Sequence, residues 1–81
     1  METKTRAELL EMYDFVGLFS EGLAQAYKDG KWFHVHPNGI PAYEQRYDWV
    51  GSFHRGTAWV RKNNKWIRIR HNGIEMNDVN S

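Results

Sequence analysis

The chain repeats itself at an offset of 34 residues, and this internal repeat constrains its fold more than any other sequence feature. The segment Lys31–Ile40 returns as Lys65–Ile74, with a Lys-Trp pair at its start and an Asn-Gly pair near its end. Tyr13–Phe19 returns as Tyr47–Phe53, and Tyr, Asp, Val, Gly and Phe occupy matching places in both. Because self-similarity at a fixed period is the signature of repeat architectures, we expect two copies of one supersecondary unit.

Each copy has the pattern of a β-meander. Alternating side chains predict strands over 13–19 and 23–28 and from Lys31 onward, and the same three strands are expected in the second copy. Asp29-Gly30 predicts a two-residue hairpin turn, because a type I′ turn needs positive φ at both central positions. Asn63-Asn64 is compatible with the same turn, since Asn tolerates that region.

A short helix is predicted before the first repeat. Thr5 and Glu8 have the spacing of a capping box, and good helix formers continue to Met12. We therefore predict a mainly β fold of tandem antiparallel β-meander or hairpin repeats with a short N-terminal helix. The expected organisation is a helical segment at 1–12, repeats at 13–46 and 47–76, and a polar tail at 77–81.

The first strand of each copy is expected to bury its aromatic side. Because side chains alternate along a strand, four residues of each copy share one face. The residues on this face are Tyr13, Phe15, Gly17 and Phe19 in the first copy and Tyr47, Trp49, Gly51 and Phe53 in the second. Since the aromatic character of this face is kept in both copies, we predict that it faces the core.

Composition excludes several classes of protein. The 81 residues contain no cysteine, so disulfides and cysteine-based zinc sites are absent. No apolar run approaches a membrane span, and no signal-peptide pattern opens the chain, so a cytoplasmic protein without a membrane partner is expected. The formal net charge is only +1, but the segment 47–76 carries +4 and the segment 13–46 carries −1. The second repeat is therefore the basic one.

The repeated motif resembles the WG (or KWG) repeat family found in bacteria. The resemblance covers about 13–76 and rests on three features: Tyr-Asp-x-Val-Gly-x-Phe, the pairs Lys31-Trp32 and Lys65-Trp66, and the downstream Asn-Gly. The chain departs from the family pattern after each tryptophan, where Phe33 and Ile67 replace the expected glycine. The resemblance implies a β-hairpin repeat module that usually occurs in longer arrays.

Two repeats form a short array, which leads us to expect self-association. Repeat units bury their apolar faces on their neighbours, and exposed sheet edges invite pairing with another chain. We therefore predict a non-catalytic interaction module that forms a homodimer or binds another protein, with no cofactor. The alternative is a monomer whose N-terminal helix covers one edge and whose Lys and Arg side chains protect the other.

The candidate binding surface combines aromatic and basic side chains on the outward face of the strands. Its members are Trp32, His34, His36, Trp59, Arg61, Trp66, Arg68 and Arg70. In the second repeat, Trp beside Arg is typical both of platforms for single-stranded nucleic acid and of self-stabilising cation–π contacts. Weak nucleic-acid binding is therefore the alternative function.

Neither a metal site nor an active site is predicted. His34 and His36 are expected to point the same way from one strand, but no further ligand is placed beside them. Arg68 and Arg70 occupy the equivalent positions of the second repeat. No nucleophile, base and acid are related by a catalytic spacing, so we predict that the protein is not an enzyme.

Overall fold

Antiparallel strands in two sheets dominate the part of the chain that the computed structural model describes, residues 3–76. The elements are α1 (Arg6–Met12), β1 (Phe15–Ser20), β2 (Leu23–Lys28), β3 (Lys31–Val35), β4 (Trp49–Val50), β5 (Thr57–Lys62), β6 (Lys65–Arg70) and β7 (Glu75–Met76). The predicted mainly β fold with a short N-terminal helix is confirmed. The polar tail predicted at 77–81 lies outside the described residues.

Each sheet is a meander in which every strand pairs with the next one along the chain. The first sheet has the order β1-β2-β3 and the second has the order β4-β5-β6-β7. The predicted hairpin turns are confirmed, because φ is 54° at Asp29 and 79° at Gly30, and 52° at Asn63 and 66° at Asn64. Positive φ at both central positions matches the right-handed twist of the flanking strands.

The N-terminal helix begins at the predicted capping box. The Thr5 hydroxyl accepts a hydrogen bond from the Glu8 backbone N–H at 3.1 Å, and the Glu8 carboxylate accepts one from the Thr5 N–H at 2.8 Å. Leu9 is buried and anchors the helix to the sheet. Within residues 3–76, no helix has the length and apolar character needed to cross a membrane.

The predicted core face of the first strand is wrong in part. Phe15 and Trp49 are 46% and 41% exposed, whereas Val16 and Val50 are fully buried. The pairing register decides this outcome, because Val16 lies opposite the buried Ala26 and therefore shares its face. A β-bulge follows Val16, so buried side chains in this segment do not follow a simple period of two.

The two repeats pack on each other within one chain. Trp32 of β3 and Tyr47 exchange two backbone hydrogen bonds of 2.8 Å, which bring the two sheets side by side. One hydrophobic core contains buried residues from both sheets, including Val35 of the first and Ile69 of the second. The first repeat therefore supplies the neighbour that the second repeat needs.

Candidate functional site

Three partly exposed tryptophans lie together on the outer face of the second sheet. Trp49, Trp59 and Trp66 are 41%, 48% and 55% exposed, and they line a shallow hollow of about 460 Å³. We call these three side chains the tryptophan face. Indole rings combine a large apolar area with one N–H donor, and contiguous exposed apolar patches mark interaction sites. The tryptophan face is therefore the best candidate site on the described residues.

Arginine side chains alternate with the tryptophans across this face. The strand register places Arg61 opposite both Trp49 and Trp66, and it places Arg68 opposite Trp59. The Arg61 Cζ atom lies 4.8 Å from the Trp66 ring centre, and the Arg68 Cζ atom lies 5.3 Å from the Trp59 ring centre. These cation–π contacts hold the rings in place and give the face a positive charge.

Four of the eight candidate residues thus come together, and Arg70 extends the group at the end of β6. Arg70 is exposed and lies opposite Thr57. Sequence reasoning missed Trp49, because it assigned this residue to the core face. The repetition of Val at positions 16 and 50 was the signal for the correct face, since a small β-branched residue retained in both copies suits a core position.

The candidates of the first repeat do not form a second surface of this kind. Trp32 is half-buried and packs on Tyr27 and Phe15, with ring centres 4.9 and 5.7 Å away. His36 is exposed and follows the end of β3. The predicted outward cluster of Trp32, His34 and His36 is therefore not formed, because the three residues differ in burial.

His34 is a core residue, which corrects its prediction as a surface residue. Its side chain is fully buried. The Nε2 atom lies 2.7 Å from the Gly51 carbonyl oxygen, and Nδ1 lies 2.6 Å from the Tyr43 hydroxyl. A carbonyl can only accept, so Nε2 carries the proton of the neutral ring and Nδ1 accepts from the Tyr43 O–H. Removal from water lowers the pKa of His34 to about 4 and raises the pKa of Tyr43.

The burial of His34 also separates it from His36. Both ring nitrogens of His34 already have hydrogen-bond partners, whereas His36 is exposed. Across residues 3–76, no three His, Asp or Glu side chains lie close enough together to hold a metal ion. The paired-histidine arrangement considered from the sequence is thus not present.

The contact between the repeats runs from side-chain donors in the first sheet to backbone carbonyls in the second. The Ser20 hydroxyl donates to the Phe53 carbonyl, and the Gln25 amide donates to the Val50 carbonyl, each at 2.7 Å. His34 makes the equivalent bond to Gly51. The Phe53 ring packs against the His34 ring with centres 4.5 Å apart. These three donors and the aromatic contact therefore add to the Trp32–Tyr47 backbone pairing that joins the two repeats.

The opposite end of the first repeat contacts the helix. The Arg6 guanidinium donates to the Val16 carbonyl and, at 3.1 Å, to the Gly17 carbonyl. The Lys28 ammonium donates to the Met12 carbonyl at the other end of α1, at 3.0 Å. The helix thus covers part of the β1 edge.

These features define a two-copy β-meander repeat protein, in which each sheet is one repeat. The chain belongs to the WG containing repeat family, whose pattern matches residues 9–32 and 44–66. Both Lys-Trp pairs lie inside the matched segments. No curated protein and no solved structure was found to match the chain.

Proposed function

We propose that this protein is a non-catalytic interaction module that self-associates through its tryptophan face. The observation that carries the proposal is the partial exposure of Trp49, Trp59 and Trp66 side by side around one apolar hollow. A large exposed ring costs free energy in water, and burial of about 100 Å² of each ring recovers roughly 2 kcal/mol. Such a surface is better suited to a partner than to solvent.

A two-fold dimer fits this surface best. The N-terminal end of the first repeat is partly covered by α1, so the two ends of the molecule are not equally available. If each copy contributes the same face, the interface is isologous and closes at two subunits. The arginines that alternate with the rings would then lie within the interface, stacked on the indoles, and arginine is enriched at such interfaces.

The environment of the most perturbed ionisable groups supports a structural rather than a catalytic role for them. His34 and Tyr43 are buried and hydrogen-bonded to each other, so their shifted pKa values arise inside the core. A catalytic acid or base must reach its substrate. The cytoplasmic location expected from the sequence stays a prediction.

The test compares solution mass by light scattering on a sizing column across a range of protein concentrations. Trp59→Gln places the residue of the first repeat, Gln25, at the equivalent position, so the sheet should accept it. We expect a wild-type dimer and a dissociation constant that rises more than about tenfold in Trp59→Gln. Leu18→Gln is the matched control, because Leu18 is 80% exposed on the first sheet and lies outside the tryptophan face. A wild-type monomer at every concentration would refute self-association.

The alternative function is weak binding of single-stranded nucleic acid. The observation that favours it is the placement of Arg61 and Arg68 against Trp66 and Trp59, since stacked bases and phosphates would meet rings and cations on one surface. The measurement is the tryptophan fluorescence of the protein titrated with an oligothymidylate at low and high salt. Phosphate-driven binding must weaken steeply with salt, because bound counterions are released. Salt-independent binding, or no binding at low salt, would reject this function.

A further inference from the structure

The donors that hold the second repeat have counterparts on the exposed end of the second sheet. An offset of 34 residues carries Ser20, Gln25 and His34 onto His54, Trp59 and Arg68. Each residue of the second repeat can also donate a hydrogen bond: His54 from an imidazole N–H, Trp59 from an indole N–H and Arg68 from a guanidinium N–H. The amino acids have changed, but the capacity to donate hydrogen bonds to a row of carbonyls has been kept.

These three donors lie around one hollow. His54, Trp59 and Arg68 line a depression of about 290 Å³ at the end of the second sheet. The equivalent surface of the first sheet is covered by Val50, Gly51 and Phe53. The second sheet therefore presents, uncovered on the described residues, the kind of surface on which the first sheet holds its neighbour.

The matching acceptors lie at the other end of the molecule, in β1. The same offset carries the carbonyls of Val50 and Gly51 back onto those of Val16 and Gly17. These two carbonyls accept hydrogen bonds from the Arg6 guanidinium. One arginine of α1 thus makes the bonds that Gln25 and His34 make to the second repeat, and it substitutes for the repeat that would precede the first.

The two equivalent phenylalanines differ in burial, as expected if Arg6 takes the place of a preceding repeat. Phe53 is 1% exposed, with His34 of the first repeat and His71 of its own repeat packed on its ring, whereas Phe19 is 40% exposed. Arg6 satisfies the carbonyls of β1 but does not cover the Phe19 ring. At the N-terminal end, the β1 carbonyls therefore have hydrogen-bond partners, but the apolar Phe19 ring remains exposed.

We propose that His54, Trp59 and Arg68 form a head-to-tail docking site for β1 of a second copy of this chain, and that Arg6 keeps β1 closed to it. In the docked arrangement, Trp59 meets the Val16 carbonyl of the second copy, and Arg68 meets its Gly17 carbonyl. Within one chain, Gln25 and His34 make the same contacts to the Val50 and Gly51 carbonyls. The Phe19 ring then packs on Arg68. The inference rests on the proposed function in one respect, since both contacts use Trp59 on the outer face of the second sheet. A copy that receives β1 of another copy therefore exchanges the isologous contact for the head-to-tail one.

Charge complementarity supports a second copy as the occupant. Position 55 holds Arg where the first repeat has Glu21, and Glu21 accepts a hydrogen bond from the Gly56 N–H at 2.9 Å. Shifted by one repeat, Arg55 faces the turn of the second copy that contains its Glu21 and Gly22. The Glu21 carboxylate keeps its bonds to the Gly56 N–H and to His71 of its own chain, and Arg55 of the neighbouring copy adds an opposite charge beside it.

The consequence is a difference in assembly. A head-to-tail contact has different surfaces on its two sides and adds copies without closing, whereas an isologous contact stops at two. Arg6 therefore keeps the wild-type chain from growing, and displacement of Arg6 from β1 releases growth. The device resembles the polar caps that end repeat arrays.

The first experiment measures mass against concentration for wild type, Arg6→Ala and Lys4→Ala. Lys4→Ala is the matched control, because it removes a neighbouring positive charge whose side chain does not bond to β1. We expect the mean mass of Arg6→Ala to rise more than about twofold above wild type at high concentration, while Lys4→Ala follows wild type. A folded Arg6→Ala variant whose mass follows wild type would overturn the proposal.

A second set of variants separates docking from aggregation. Arg68→Glu, added to Arg6→Ala, should abolish growth, because the receiving donor becomes an acceptor. Growth that persists in the double variant would identify aggregation of a damaged fold and would overturn the proposal.

Circular dichroism reports whether each variant is folded. If Arg6→Ala unfolds, Arg6→Gln retains one amide donor and is measured in its place. Unfolding of both variants would show that Arg6 is part of the fold rather than a displaceable cap, and would also overturn the proposal. The wild-type mass alone tests the dimer, and the difference between the Arg6 variants and wild type tests the cap, so the two failures are distinguishable.

Discussion

The buried His34 predicts that this protein loses stability in mild acid. The pKa of His34 falls from 6.5 to about 4 in the folded protein, chiefly because burial disfavours the charged ring. Between these two values the unfolded chain binds a proton that the folded chain does not. By linkage, the stability is complete above the unfolded pKa and is lost as the pH falls toward the folded pKa.

The size of the effect follows from the same two pKa values. One unit corresponds to about 1.4 kcal/mol, so the loss is about 1.4 kcal/mol near pH 5.5 and reaches about 3 kcal/mol near pH 4. That loss is a large part of the roughly 5–10 kcal/mol that stabilises a small domain. It arises because the charged ring would have to be held in the core, away from water.

The assay is urea unfolding followed by tryptophan fluorescence at about pH 7.5 and about pH 5, at one low protein concentration. We expect the free energy of unfolding to fall by about 2 kcal/mol over this range, with an unchanged urea slope. The range stays above the region where Glu21 and Asp48 titrate, since hydrogen bonds from His71 and Lys31, respectively, lower the pKa values of these carboxyl groups. Their stabilising effect is lost only at lower pH.

Two variants show whether His34 is responsible. His34→Gln has no titrating ring and should lose the pH dependence, although it starts from a lower stability. His36→Gln should keep the wild-type dependence, because His36 is exposed and lies two residues away. An unchanged wild-type stability between the two pH values, or the same dependence in His34→Gln, would refute the reasoning.

Two further predictions concern the stability of local structure, and urea unfolding measures both. Gly73→Ala should lower the free energy of unfolding by about 3 kcal/mol, because φ is +85° and an added Cβ would lie 2.5 Å from Tyr43 Cβ. Gly30→Ala, at φ +79° in open space, should lower it by only about 1 kcal/mol. Equal losses in the two variants would exclude the steric argument. Thr5→Ala should lower the free energy of unfolding by about 1 kcal/mol, because the Glu8 N–H loses its acceptor. Thr5→Ser should retain most of the wild-type stability. A Thr5→Ser variant as unstable as Thr5→Ala would contradict the capping role.

The sequence predicted well wherever the decisive interactions are local. The hairpin turns at Asp29-Gly30 and Asn63-Asn64 depend on which residues tolerate positive φ, and that property belongs to the residues themselves. The capping box of α1 depends on two side chains three positions apart. The number and order of the strands followed from the repeat, because two similar sequences form similar units.

The sequence predicted poorly wherever the outcome depends on a neighbour. Phe15 and Trp49 are exposed because the pairing register, rather than their aromatic character, selects the core face. The shared face of four candidate residues, by contrast, depends on strand periodicity alone. Trp59, Arg61, Trp66 and Arg68 do share a face, and strand periodicity determines that relationship.

His34 and Arg68 show where the information of the sequence ends. They occupy the same position in the two repeats, and each lies in the strand that follows a two-residue hairpin turn. The sequence by itself determined this common placement, because the local backbone is the same in both copies. Only the tertiary structure decided that His34 is fully buried, since a second repeat packs over it. Arg68 is only half-buried, with no further repeat over it among residues 3–76. Burial is a property of what surrounds a residue, and the sequence of one repeat does not specify which neighbour packs over it.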